Sequence, residues 1–342
     1  MITNHNYKMP QPQYLGAKHK LTSWIMDFIP DDVTSVLDGF SGSQSVAFEM
    51  KKRGYTVTSN DLLNSCNQIG KALIENNHVT LTLSDLTILF AENKGRKNIM
   101  ENFADIFFER DECIFLDNFR ANSELLSCSY KKALVLAIMN RSLTRKTIMG
   151  HFAHTQAITY ANNPIRVKRN PSIAKPIKTL FLDLFDEYND AVFDNGKTNK
   201  SYNHNILDLL PTLSNIDLVY YDPPYCNSHS DYQSFYHLLE TFVENWEDKE
   251  FINKTKRYHP QKYSGFEKTK DVKQSFHWLF ESSKHIPYWI ISYNDRSIPS
   301  IDELIEIASA YKEVRVETKT YETARGGKGS VSGSREYLLI CH

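Results

Sequence analysis

The segment Asp222-Pro223-Pro224-Tyr225 follows directly on the apolar run Leu218-Val219-Tyr220-Tyr221. A buried strand ending in an acid and two prolines puts that acid at the carboxyl edge of a sheet, where open α/β folds bind ligands. The prolines fix the backbone and carry no N–H, and their carbonyls are acceptors. The tyrosine offers a face on which a nucleobase can stack. This set suits transfer to a poor nitrogen nucleophile. The lone pair of adenine's exocyclic amine is delocalised into the ring. Asp222 and the Pro223 carbonyl can each accept a hydrogen bond from that amine, localise the lone pair and aim it at a methyl sulfonium. The competing reading is a Pro-Pro turn that caps a strand.

A second candidate is the run Val36-Leu37-Asp38-Gly39-Phe40-Ser41-Gly42-Ser43-Gln44-Ser45. A strand passing through a glycine-containing turn into a helix offers backbone N–H groups to a charged cofactor. The run is not GxGxxG, so dinucleotide binding is not indicated, and a plain βα turn has the same texture. Asp61 closes the next strand about 20 residues on, where an acid suits ribose hydroxyls. A helix N-cap is the alternative role there. His151 and His154 lack the partners of a metal site, and no metal is implied. Tyr232 and Tyr236–His237 are packing residues by default, a lid over a flipped base being the sharper option. The basic, glycine-rich loop 323–334, with Arg325, Lys328 and the adjoining Arg335, suits phosphate contact or a plain hairpin connection. No Cys or Ser nucleophile stands with a base, so no covalent intermediate is indicated.

The elements that must position these residues follow from periodicity. Trp24, Ile25, Phe28 and Ile29 form a helical stripe ended by Pro30. Residues 35–37 and 55–59 read as strands, and 45–53 and 63–76 as helices, the opening of a doubly wound sheet. Beyond residue 79 strand alternation disappears, and helical pieces at 86–93, 129–141 and 178–188 alternate with polar loops. Strands return at 218–221, 288–292, 313–320 and 336–341, the last two as an antiparallel hairpin. The expected fold is α/β: a Rossmann-like sheet with helices on both faces and a C-terminal hairpin, plus an inserted, mostly helical domain. Residues 1–78 and 202–342 would form the catalytic part and 79–201 the insert.

Composition fits this plan. The chain has 342 residues, 41% hydrophobic and 24% charged, with a net charge of −1. Its longest apolar runs, such as 133–139, are too short to cross a bilayer, and the polar N-terminus does not resemble a signal peptide. Five scattered cysteines without a CxxC pair favour reduced thiols in a cytoplasm. Between Glu124 and Asp183 there is no acidic residue, whereas Lys131, Lys132, Arg141, Arg145, Lys146, Arg166, Lys168, Arg169, Lys175 and Lys178 all fall there. A solvated basic face is one reading. Over this length, contact with a nucleic acid is the favoured one.

Taken in order, Tyr14-Leu15-Gly16-Ala17-Lys18, Asp38-Gly39-Phe40-Ser41-Gly42, Asn60-Asp61 and Asp222-Pro223-Pro224-Tyr225 resemble the Dam-type class of N6-adenine DNA methyltransferases. In that class the target-recognition module is inserted before the DPPY strand, the interval that holds the basic stretch here. The resemblance implies S-adenosyl-L-methionine as cofactor, with Tyr14, Gly16 and Lys18 toward its methionine end and Asp38, Phe40 and Gly42 at the glycine turn. It further implies Asp61 on the ribose, Asp208 near the cofactor's adenine and Asp222 beside the reacting methyl. Ile291-Ser292-Tyr293-Asn294 resembles a family strand end near the target base. Asp222, Pro223, Pro224 and Tyr225 would be catalytic, and Arg141, Arg145, Lys146, Arg166, Lys168 and Arg169 would touch DNA. The implied partner is double-stranded DNA, with a cognate restriction endonuclease acting separately if the enzyme serves a restriction system, and no membrane. The alternatives are an RNA or protein amine methyltransferase, or a DNA-binding relative without turnover. Two positions depart from the family: Gln44 stands where a second glycine is usual, and Gly39 where a proline often follows the acid.

Overall fold

A computed structural model describes residues 7–95, 97–226, 231–246, 250–259, 262–321 and 334–342. Residues 323–333 of the basic loop, Arg325 and Lys328 among them, lie outside the described residues. The chain divides into two compact units, Met1–Ala17 with Leu63–Asp194 and Gln233–Pro260, and Lys18–Leu62 with Asn195–Tyr232 and Gln261–His342. These limits differ from a cut at 78/79 and 201/202. Residues 63–78 fall in the first unit because their helix packs on a helix of that unit. Residues 195–201 fall in the second because they enter its sheet.

The second unit is built on seven strands: β1 (Ser35–Asp38), β2 (Thr56–Asn60), β3 (Lys200–Tyr202), β4 (Leu218–Tyr221), β5 (Tyr288–Asn294), β6 (Val314–Tyr321) and β7 (Ser334–Cys341). Their order is β3-β2-β1-β4-β5-β7-β6. The first five are parallel, whereas β7 runs antiparallel to both β5 and β6. The sheet, its helices and its C-terminal hairpin make this a Rossmann-like α/β fold. Every residue of β4 is buried, as a central parallel strand requires. One core gathers Leu37, Val219, Tyr221, Phe276, Phe280, Trp289 and Leu339. The three-residue β3 carries almost no apolar signal. It is held by asparagines: Asn199 accepts from the Val57 N–H, and Asn195 donates to the carbonyls of Lys51 and Tyr55.

This order puts the switch point between β1 and β4, whose Asp38 and Tyr220 are register partners. Because β7 is antiparallel, its first residues lie at the edge where the parallel strands end. Glu336 pairs there with Asn294 of β5.

The first unit is helical. Its central helix, Ser129–Arg145, buries every residue from Ala133 to Met139, which explains that apolar run as the core of a bundle. Among the described residues no helix is long and apolar enough to cross a membrane. The segment expected as one helix at 63–76 is an α-helix, Asn64–Gly70, that widens into a π-turn, Lys71–Glu75, with Ala72, Leu73 and Ile74 all buried. Its N-terminus is capped through space. The buried Glu240 accepts from the Asn64 and Ser65 N–H groups at 3.1 and 2.7 Å. A helix at Arg110–Ser123 had no counterpart among the expected elements.

His237 lies among Phe103, Phe107 and Phe152, and its Nε2 is 3.2 Å from the Phe152 carbonyl. Burial lowers its pKa to about 4. A folded-state value below the unfolded one means that the unfolded chain binds the extra proton first. Stability is therefore full above about pH 6.5 and declines as pH falls toward the folded value. Urea unfolding should show a loss of about 1 kcal/mol between pH 7 and 5.5 that His237→Gln does not show. Identical pH slopes for both proteins would refute the assignment.

Candidate active site

The DPPY loop leaves β4 at the switch point, and Lys18 meets it. Lys18 is buried, and its Nζ lies 2.9 Å from Asp222 Oδ1 and within hydrogen-bond reach of the Tyr225 hydroxyl. The Tyr225 hydroxyl lies 2.7 Å from the same Oδ1. Asp222 Oδ1 is thus held from two sides, while no described residue donates to Oδ2 or to the Pro223 carbonyl. The loop is pinned from beyond β5, where the Ile298 N–H donates to the Tyr225 carbonyl at 3.2 Å. The Tyr225 ring meets that of Tyr293 edge to face.

Glu336, which sequence reasoning left out of the site, completes the cluster. Its Oε1 accepts from Ser292 Oγ and lies 3.3 Å from the Tyr225 hydroxyl and 3.4 Å from Lys18 Nζ. Burial raises its pKa, Lys18 pulls it back and Asp222 raises it further, leaving it above the usual glutamate range. Burial, with Asp222 and Glu336 nearby, holds the Tyr225 phenol well above its ordinary pKa.

At the glycine turn Gly42 adopts φ 45°, and its N–H donates to Asp61 Oδ2 at 2.7 Å. The two segments expected to form a cofactor site are therefore bonded to one another. Asp38 is buried and its Oδ2 accepts from the Ala47 N–H at 3.2 Å, while Oδ1 has no hydrogen-bond partner among the described residues. Burial first, then Asp222 and Asp61, raise its pKa well above the usual carboxylate range, and the N–H groups of Ala47 and Phe40 offset this only in part. The Phe40 ring packs edge to face on Phe266, an aromatic that the sequence reading did not single out.

Both family departures have local reasons. A Cβ at Gly39 would come within 3.2 Å of the Tyr221 ring, a tight contact that glycine avoids. Gln44 occupies a left-handed conformation, φ 66°, just before the helix Ser45–Lys52. Its side-chain amide donates to Ser41 Oγ at 2.6 Å, which offsets the strain that a glycine would not incur.

Asp208 is exposed in the first turn of the short helix Ile206–Leu209, whose Ile206 and Leu209 join the core beside Tyr221. In the helical unit, Tyr14 stacks on Tyr236 at 4.3 Å, and Gly16 takes a positive φ in the following turn. Tyr236 therefore packs against Tyr14. His151 is buried beside Phe235, its ring centroid 5.7 Å from that of His154.

The basic stretch divides. Counted along the chain it faces no acid, but in space Lys131 pairs with Asp85, Lys132 with Glu124, Lys146 with Glu112 and Lys175 with Asp183. Lys146 is buried, with its ammonium also on the Lys175 carbonyl. Arg141 bonds to Gln13, and Arg145 to Ser172. Arg166, Lys168 and Arg169 are exposed on the short helix Pro164–Arg169, which buries no residue. Asn163 caps that helix and Pro164 opens it, a start signal written in the sequence. Arg166 lies over the Tyr160 ring at 3.9 Å.

A Rossmann-like sheet with an acid–proline–proline–aromatic loop at its switch point has the architecture of a methyltransferase. More narrowly, the chain belongs to the D12 class of N6 adenine-specific DNA methyltransferases, whose family model matches residues 14–307. It is therefore an enzyme that acts on DNA. It is 33% identical over 314 residues to the Type II methyltransferase M2.HphI of Haemophilus parahaemolyticus, covering 89% of each chain. It is 23% identical over 348 residues to the modification methylase LlaI of Lactococcus lactis subsp. lactis, covering 95% of this chain and 53% of that protein.

The account of Gln44 gives a measurable contrast. Gln44→Ala keeps the left-handed strain and loses the bond to Ser41, so it should cost about 1–2 kcal/mol in urea unfolding. Gln44→Gly loses the bond but relieves the strain and should stay within about 1 kcal/mol of the native protein. A glycine variant less stable than the alanine variant would contradict this.

Proposed function

We propose that the enzyme methylates adenine N6 in a specific double-stranded DNA sequence, with S-adenosyl-L-methionine as donor and the DPPY loop as its catalytic centre. One observation carries the reading: Asp222 Oδ1 is fixed by Lys18 and Tyr225, while Oδ2 and the Pro223 carbonyl have no donor among the described residues. Two acceptors so placed suit the two N–H bonds of an exocyclic amine. They orient its lone pair, and Oδ2 can take the proton that the methylated nitrogen sheds. Tyr225 holds Asp222 through its hydroxyl and leaves its ring for the flipped base.

The acids of the sheet edge fit the donor's chemistry. Asp38 has an oxygen without a hydrogen-bond partner among the described residues, in a buried place that favours a cationic group, and Asp61, already on Gly42, suits ribose hydroxyls. S-adenosyl-L-methionine supplies, when bound, a methyl group on a positively charged sulfur. Asp38, Phe40, Gly42 and Asp61 would hold it.

The helical unit is the DNA-recognition part, with Arg166, Lys168 and Arg169 on phosphates and the paired lysines holding the bundle. Likeness to a type II methyltransferase and a modification methylase supports a place in a restriction–modification system, where a separate endonuclease is blocked by the methyl group.

Labelled methyl transfer to unmethylated genomic DNA, followed by nucleoside analysis, should give N6-methyladenine with the native protein and none with Asp222→Ala, which still binds DNA. Transfer by the variant, or label in RNA alone, would sink the reading. Replacing Arg166, Lys168 and Arg169 by Ala should weaken DNA binding and lower the slope of log K against log salt by about 2–3. An unchanged slope would take this helix out of the interface.

A further inference from the structure

We infer that Glu336 is a positioning residue for methyl transfer, sharing Lys18 and Tyr225 with Asp222 so that Asp222 is held in place without being neutralised. The inference rests on the reading that Asp222 accepts the substrate amine.

Glu336 is 1% exposed on a strand whose next buried residues are Leu338, Leu339 and Cys341. Burying a carboxylate there is unfavourable unless it is paired, and packing alone would be served by an apolar residue. It is paired with the catalytic cluster itself. Lys18 carries one positive charge and faces two carboxylates, Asp222 at 2.9 Å and Glu336 at 3.4 Å. The Tyr225 hydroxyl has one proton and lies near both, at 2.7 and 3.3 Å. Ser292 fixes the Glu336 oxygen that faces this group.

With Glu336 uncharged, the ammonium would act more strongly on Asp222 and weaken it as an acceptor for the amine. The other described groups near Glu336 do not carry this balance. Tyr220 is a buried phenol with its pKa raised well above the ordinary value by burial, and Asn294, opposite on β5, carries no charge. Lys319, the register partner on β6, has its ammonium over the Trp24 ring at 5.5 Å.

The pH dependence follows from the sign of the shift. Glu336 is held above the usual glutamate range, so it loses its charge at a higher pH than an ordinary glutamate does. The native enzyme should therefore converge on the behaviour of an uncharged variant in acid.

The test is single-turnover transfer from labelled S-adenosyl-L-methionine to unmethylated genomic DNA across pH, with Glu336→Gln, Ser292→Ala and Asp222→Ala. Glu336→Gln should be about 10–100-fold slower at the alkaline end of the range, with KM for DNA and cofactor changed by less than about twofold. Its deficit should shrink as pH falls. A native rate, or a deficit constant across pH, would overturn the inference. Ser292→Ala loosens the same carboxylate without touching Asp222 and should give a smaller deficit with the same trend. If Glu336→Gln does not fold, a native profile for Ser292→Ala overturns the inference by itself. Transfer retained in Asp222→Ala would defeat the underlying reading, whereas an inactive Asp222→Ala beside a fully active Glu336→Gln would defeat this inference alone.

Discussion

A buried ammonium shared by two buried or half-buried carboxylates is the constraint around which the sheet unit is arranged. Lys18 meets Asp222 at 2.9 Å and Glu336 at 3.4 Å, with the Tyr225 hydroxyl between them. Removing Lys18 would leave two desolvated carboxylates without their shared cation, which is far more costly than losing a surface ion pair. Three distant parts of the chain must therefore arrive together: the segment before the first strand, the end of β4 and the start of β7. The parallel order β2-β1-β4-β5 brings the acids Asp38, Asp61 and Asp222 to one edge. The reversal of β7 delivers its first residues, Glu336 among them, to the same edge.

The glycine turn obeys a related constraint. Gly42 gives its backbone N–H to Asp61, so the carboxylate that ends β2 also fixes the loop that ends β1. Within that loop the chain tolerates a left-handed Gln44, whose side chain bonds to Ser41. At Gly39 a side chain would press on the Tyr221 ring, which would have to give by a few tenths of an ångström. The loop's shape is thus set by hydrogen bonds and ring packing rather than by a fixed pattern of residue types.

In the helical unit the same economy of charge appears. Four lysines of the acid-free stretch meet carboxylates from elsewhere in the unit, and only part of the basic residues face solvent. Arg166, Lys168 and Arg169 are exposed on a helix that buries none of its residues, Arg166 lying over the Tyr160 ring. A short helix that starts at an Asn163 cap and Pro164 and buries none of its residues presents charge well and contributes little to a core.

The sequence by itself determined the elements whose signals are local. Leu218–Tyr221 is a strand because it is short, apolar and stopped by two prolines, and its limits in the fold are the expected ones. The glycine turn, the helix after it and the hairpin strands were legible for the same reason, as was the family, since its motifs are contiguous runs. Where the signal was weak or misleading, tertiary structure decided. β3 is three residues paired with β2 and led in by asparagine side chains that bond to the sheet unit's backbone, the helix Arg110–Ser123 was not singled out, and the 63–76 segment belongs to the helical unit. Glu336 was invisible as a site residue because it is 114 positions beyond Asp222 (336 − 222) and stands alone in an apolar strand. The lysines counted as a basic face were partly neutralised by acids outside the counted window. In each case the deciding quantity is a distance through space, which charge counts and periodicity along the chain do not contain.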